Sequence, residues 1–523
     1  FKLQQDDRLA VSAAVDLRAA GFAFSNGIAH WKKLQIGSHT NELESGDTWF
    51  QAGSLQLDQP GKLRIKNAKG YNRKGNTAIQ FSAALMEAGF GVYNTQPDEL
   101  RLVSLYMQHP VLHISSTRTN SPQQVTVLPT VAKPRSKPFY LQHLELEDPE
   151  IDVVMKAATG DTLHYSKSLK GKLVGEDVSV LSSNNAPHIH ASRIRYFSHD
   201  VQTAFSDRTF RPSGVLLAMS KVNVWPASKR MNGMVDTLLL NGLTQTIVGK
   251  QQDSIHVSIQ EFGASHFFYT STDSLDWKKM IAQQHWWMRG ANITHHTATE
   301  KIALFGLNAT NNNTLNFELD SMHMTPTLSR EAFWLQQPFE NDYISLSTGK
   351  IIGRNVAIDL YKPLPPLHIK WLSIDAASIW PQRDKTRPED TLNYRPLLAQ
   401  QILNLPYPIR MDSIRLSNGV VRYNEIAQKS GKEGKIFLDN VNGFIANVKN
   451  YDIQSDDSLI MIMNSRVYGK GQTKINFRQS YTDSLQGFWM RVRMGQMNMH
   501  EMNTLLRPQM GLQIKSGIID TLT

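Results

Sequence analysis

Phe488, Met490, Val492 and Met494 alternate with Trp489, Arg491 and Arg493. A period of two restricts this stretch to an extended strand with one apolar face and one cationic, amphipathic face. Beyond it, Met499, Met502 and Leu506 recur at helical spacing in MHEMNTLLRP, with Pro508 as the stop, and Leu512, Ile514 and Gly517-Ile518 read as a returning strand. Methionine has modest strand propensity and a soft, flexible thioether. A face built from it either fills gaps in a packed sandwich core or offers an adaptable surface to ligands that vary in shape.

The same alternation runs through the chain. From Phe1 to Thr95 short strands broken by turns such as Gln59-Pro60-Gly61 predict a meander. A recurring hairpin is then predicted at 100–116, 139–156, 189–205, 367–382 and 409–425, usually followed by a second strand pair, as at 171–183, 214–228 and 434–448. Spacing between copies is irregular, so this is a loose repeat. Helices are expected at Ser274 to Trp287 and at Thr391 to Leu405. Crossover helices are not evident, so the fold is expected to be mainly β and antiparallel. Pro-rich links at 129–138 and 363–366 suggest segments 1–128, 139–362 and 367–523.

Apolar residues make up 41% and charged residues 20% of 523, which excludes a disordered chain. No window approaches 18 uninterrupted apolar residues, so no transmembrane helix is expected within the sequence. Opening on Phe1 and closing on GIIDTLT, it reads as an excerpt of a longer protein. The absence of cysteine removes disulfides, thiolate nucleophiles and sulfur-ligated metals. Formal charge is +10, densest in KLRIKNAKGYNRK (Lys62 to Lys74), where Leu63 and Ile65 alternate with cations. That pattern suits the solvated face of a half-buried strand or a contact with anionic lipid headgroups or lipopolysaccharide; nucleic acid is not expected as a partner.

Seventeen histidines raise a metal hypothesis, and His188 and His190 share one strand face while His295-His296 lies near Glu300. No ordered ligand set such as HExxH accompanies them, GKGQT at 469–473 lacks phosphate-loop spacing, and no G-x-S-x-G or G-x-G-x-x-G occurs. Neither an enzyme, a metal nor a cofactor is expected. One triplet exceeds chance: Asp, then Ser or Thr, then an aliphatic residue, at Asp161, Asp236, Asp253, Asp273, Asp320, Asp390, Asp412, Asp457, Asp483 and Asp520. Asp and Ser closing a turn before a strand explain it. The triplet equally resembles the O-glycosylation sequence of Bacteroidota envelope proteins, for which Ser254, Ser413, Ser458 and Ser484 would be the acceptors, at exposed strand-entry turns.

NSRVYGKGQTKINF, GFWMRVRMGQMNMHEMNTLLRP and LQIKSGIID, with MDSIRLSNGVVRYNE and GKIFLDNVNGFIANVKN before them, resemble the C-terminal region of AsmA-like envelope proteins, best over residues 411–523. The resemblance implies a long, twisted antiparallel sheet of repeated hairpins, curled into an open groove with a few short interrupting helices. Thirty nine-residue strands would make it about 30 Å wide and roughly 140 Å long. It further implies a non-enzymatic protein of a Gram-negative periplasm, anchored to the inner membrane by a segment outside this sequence. Such a protein holds or conducts phospholipid between inner and outer membrane in support of outer-membrane biogenesis. Its partner would be phospholipid acyl chains, lined by Ile414, Leu416, Val421, Tyr423, Ile436, Leu438, Phe488, Met490, Val492 and Met494. The other expectation is a β-rich scaffold with a closed, packed core and envelope-protein partners.

Overall fold

Extended backbone satisfies its amides only by pairing strand with strand. The computed structural model of the chain is accordingly mainly β, its strands pairing in mixed sheet with three short helices. It describes residues 2–5, 9–25, 28–45, 47–58, 61–74, 77–90, 100–117, 138–156, 162–168, 170–183, 186–199, 203–205, 208–210, 212–225, 230–249, 253–270, 285–391 and 396–523. Two compact units divide it: Phe1–Leu240 with Ser265–Leu275, and Asn241–Ala264 with Asp276–Thr523. The change-over falls inside the strand Arg230–Val248, not at the Pro-rich links. Strands Leu100–Gln108 and Phe139–Glu147 pair directly across the first link, and Ile351–Ile358 pairs with Leu367–Asp375 across the second, so neither link separates compact bodies.

The predicted hairpins are not hairpins. Leu100–Gln108 and Val111–Thr117 both lie against the single strand Thr77–Gly89 and run in the same direction, as one strand with a crease at His109. Phe139–Glu147 and Glu150–Lys156 run parallel beside them. Likewise Leu367–Asp375 and Ser378–Asp384 lie end to end, both parallel to Ile409–Ile426. IRMDSIRLSNGVVRYNE belongs to one 18-residue strand, Ile409–Ile426, and GKIFLDNVNGFIANVK to one of 17, Glu433–Lys449. The sheet is therefore antiparallel in the main, as expected, and mixed through these parallel pairs. Strands of this length reach about 60 Å, so each rung is about twice as wide as expected and uses twice the chain.

Turn-like residues in mid-strand mislead because a bulge and a hairpin favour the same types. A two-residue I′ turn needs both central residues left-handed; at Asn418-Gly419 only Asn418 is, with φ 54°. The chain skips one register position and continues. Gly419 is needed for closeness, since a Cβ there would lie 3.1 Å from the Val441 side chain and carbonyl. Left-handed residues on successive strands line up as creases; in the second unit Ala376, Asn418 and Asn440 form one and Asn355 and Asn447 belong to another. Asparagines staple them. Asn442 Oδ1 accepts from Asn418 N (3.0 Å) while its Nδ2 donates to Asn440 O (2.7 Å). Asn308 does the same for Gly290 N (3.0 Å) and Gly306 O (3.0 Å), and Asn316 for Asn355 N (3.1 Å) and Thr314 O (3.2 Å). Asn442→Ala should cost about 1–2 kcal/mol and speed amide exchange at Asn418 selectively.

Creases preserve one apolar face. In the first unit Leu55, Ile65, Met86, Met107, Leu146, Leu173, Tyr196 and Leu217 stand directly opposite one another, one per rung. In the second, Met288, Ala309, Phe317, Gly353, Leu372, Ile414, Ile445, Met461, Phe477 and Met490 form an equivalent row across ten rungs, about 43 Å at 4.8 Å per step. Beside this row the buried cluster gathers Leu319, Ile351, Val356 and Ile369. On the other face carboxylates sit between cations, as where Glu318 takes Arg354 (2.6 Å) and Lys350 (3.0 Å). Those cations hold the Glu318 carboxyl below its ordinary range. Its contribution to stability is therefore present above an unfolded pKa of about 4.3 and lost as pH falls through the lower folded value. The urea midpoint should be level down to about pH 5 and fall below about 4, less steeply in Glu318→Gln.

The helices differ from expectation. α1 (Arg330–Gln336) had no sequence forecast; Ser329 caps it, accepting from Ala332 N at 3.3 Å, and Trp334 is buried. α2 (Leu398–Leu403) is a shortened form of the helix expected from Thr391, of which 392–395 lie outside the described residues. Of the stretch from Ser274, residues 274–284 lie outside the description, and His285, Trp286 and Trp287 open a strand. After the turn Met499–Met502, α3 (Asn503–Met510) runs through Pro508 and ends at Gly511, whose φ of 68° makes the left-handed cap. The returning strand is only Ile518–Ile519, paired with Met497–Asn498, because Asn503 holds Ile514 N and O (both 2.8 Å).

Candidate functional site

On the second unit's apolar face α2 and α3 lie at separate places, and the short strand pair Met497–Asn498 with Ile518–Ile519 packs on Met494 at one end. α2 packs Ala399, Ile402 and Leu403 on Leu459, Tyr481, Ile445 and Phe477, and Ala399 N donates to Gln479 Oε1 at 2.9 Å. Towards the other strand ends, Leu505 and Gln509 of α3 stand over Gly434, and Met502 packs with Ile436, Val467 and Met494. Met461, Met463, Ile475 and Val492 lie between, half-buried, and Met490 is 54% exposed.

All ten residues expected to line a groove fall on this face. Ile414, Phe477 and Met490 belong to the row above, and Leu416 lies two positions beyond Ile414. Leu438 stands opposite Val467, which follows Met461 on an unbulged strand, and Val421 stands opposite Leu438. Ile436 and Tyr423 oppose each other one step further. Phe488, Val492 and Met494 oppose Gln479, Ile475 and Thr473. Their surroundings differ. Ile414 is 8% exposed within the cluster and Met494 is buried beneath the C-terminal segment, whereas Phe488 is 52% exposed and stacks on Phe477 at 5.7 Å. Tyr423 is at a polar end: its hydroxyl donates to Glu425 (2.5 Å), which takes Lys385 (3.0 Å), beside the Arg383–Asp342 pair. Burial, then Glu425, pushes the phenol pKa up.

Where Lys449 N donates to the Tyr481 hydroxyl (3.3 Å) lies a buried ion pair that the sequence did not signal. Lys449 Nζ pairs with Asp457 and donates to Asp452 O (3.2 Å); Asn447 Nδ2 (3.2 Å) and Gln454 N (2.6 Å) also reach the Asp457 carboxylate. Burial alone would raise the Asp457 pKa, but Lys449 and these donors leave it below its ordinary value.

The pair His188 and His190 serves the fold. His188 and His190 both meet Asn223 Oδ1 (3.3 and 3.0 Å), and His188 stacks on Trp225. Among the described residues no group of three His, Asp or Glu side chains is placed to hold a metal. No helix among the described residues is long and apolar enough to cross a membrane. In the basic cluster, Lys62 (2.5 Å) and Arg64 (2.6 Å) share Glu87. The expected exposure of the four serines fails for three. Ser458 is 6% exposed and Ser413 is half-buried in mid-strand, opposite Ala446, because Asp412 and Asp457 do not close turns into exposed strand starts. Ser254 opens a strand half-buried, and Ser484 alone of the four is exposed, in a turn where Asp483 accepts from Leu485 N (3.0 Å) and Gly487 N (2.8 Å). Comparison with family models, with curated proteins and with solved structures gives no match to the chain.

Proposed function

We propose that this protein holds or conducts phospholipid along its apolar sheet face, without catalysing a reaction. The observation that carries this reading is the ten-rung apolar row, which has half-exposed side chains between α2 and α3 and at Phe488 and Met490. An acyl chain laid along such a row replaces water on both surfaces, at about 25 cal/mol per Å² of apolar area covered. Methionines at 461, 463 and 490 would adapt to chains of different length and unsaturation. The AsmA-like resemblance adds a setting: the periplasm of a Gram-negative bacterium, with transfer between its membranes in support of the outer one.

The second reading, a packed scaffold with protein partners, is favoured by the burial of Leu319, Ile369, Leu372 and Ile414 within the same face. Extraction of the purified protein with organic solvent, followed by lipid mass spectrometry, separates the two. Phospholipid recovered in at least equimolar amount supports the groove; a lipid-free protein would count against it and favour the scaffold.

A further inference from the structure

Several cations on the polar face of the second unit are matched: Glu261 takes Arg289 (3.0 Å), Asp412 takes Arg410 (2.9 Å), and Glu318 takes two. Unmatched ones gather on the last three strands of the long sheet, Ser458–Val467, Gly471–Ser480 and Phe488–Met494. Lys474 stands directly opposite Arg493, and Arg478 opposite Trp489. Arg466, Lys474, Arg478, Arg491 and Arg493 are all exposed, and none has an ion-pair partner among the described residues. Like charges directly opposite one another destabilise a sheet unless an anion lies between them. Asp439 is the register partner of Arg466, yet its buried Oδ1 has no hydrogen-bond partner and its Oδ2 is turned towards Gly469.

Arg466, Lys474 and Arg493 line a polar cavity of about 410 Å³ together with Asn464, Gln472 and Thr521. Trp489, 56% exposed, stands among these cations, and Leu485 in the adjoining turn is 90% exposed. Indole, aliphatic tip and guanidinium groups together make up a surface that settles where headgroups meet acyl chains. The unmatched charges spread over three strands, an area about 10 Å by 13 Å, which suits an array of phosphates better than a single one.

We infer that the cationic face of the last three strands docks this edge of the sheet on the anionic headgroups of a phospholipid bilayer. The inference does not depend on what the apolar face holds. Flotation of the full chain with vesicles of phosphatidylcholine, alone or mixed with phosphatidylglycerol, tests it. Binding is expected only to the mixed vesicles, weakening as salt rises. K474Q/R491Q/R493Q should bind about a hundredfold more weakly. K66Q/K69Q/R73Q, which removes equal charge from the first unit, should bind as the unaltered protein does. Both variants should keep the same circular dichroism spectrum and lipid content. The inference fails if both vesicle types bind alike, if the two triple variants weaken equally, or if inorganic phosphate matched in phosphate concentration displaces the protein, which would make the site one for a soluble anion.

Discussion

Phe488→Glu combined with Met490→Glu is expected to reduce co-purifying phospholipid at least about tenfold while leaving the sheet folded. Both side chains are more than half exposed, on the last strand and opposite Gln479 and Phe477, so little packing is lost when they change. Their cost falls instead on the ligand. Two carboxylates laid against an acyl chain must stay in water, and that breaks the continuous apolar track at its open end. The matched change on the other face, Trp489→Glu on the same strand with Ile462→Glu on the strand Ser458–Val467, should leave lipid content unaltered. Equal losses from both pairs would mean that the face carries no selectivity.

The second large effect concerns stability. Lys449→Met should cost about 3–5 kcal/mol, because Asp457 keeps its hydrogen bonds from Asn447 and Gln454 but loses its cation in a nearly dry place. For a unit of this size that corresponds to a fall of roughly 10 °C in Tm. Adding Asp457→Asn should restore part of it, since the stranded charge is then gone. Lys449 N also donates to Tyr481, which packs with Ala399 and Leu459, so loosening should appear first as faster exchange at Ala399 and around Leu459. An unchanged Tm in Lys449→Met would show that the pair is solvated.

Period-two alternation made the β class legible and showed which residues share a face within one strand, as Ile414 with Leu416 and Met490 with Val492, while only the register joins Ile414 to Met490. The rungs themselves were not legible. Asn418-Gly419 and the Asp148-Pro149 stretch have turn chemistry, and a left-handed bulge recruits the same residues as a reversal. A signal did exist: apolar spacing lengthens from two to three across each crease, as in Ile65 to Ala68, Met219 to Val222, Ile369 to Leu372 and Leu438 to Val441. A true hairpin would restart the alternation in a new strand instead. α1 was missed because seven residues give too few turns to show a period. The Lys449–Asp457 pair and the asparagine staples join positions whose neighbourhood only the register defines.

Site-specific photo-crosslinking tests the central claim most directly, with a benzophenone side chain placed at Met461, Ile475 or Met490 on one face and at Trp371, Arg415 or Phe444 on the other, away from the strands proposed to meet a bilayer. The account predicts phospholipid adducts from the first three positions and none from the second three when each variant is irradiated in cells. Adducts of equal yield from both faces, or adducts to protein alone from the apolar one, would contradict it.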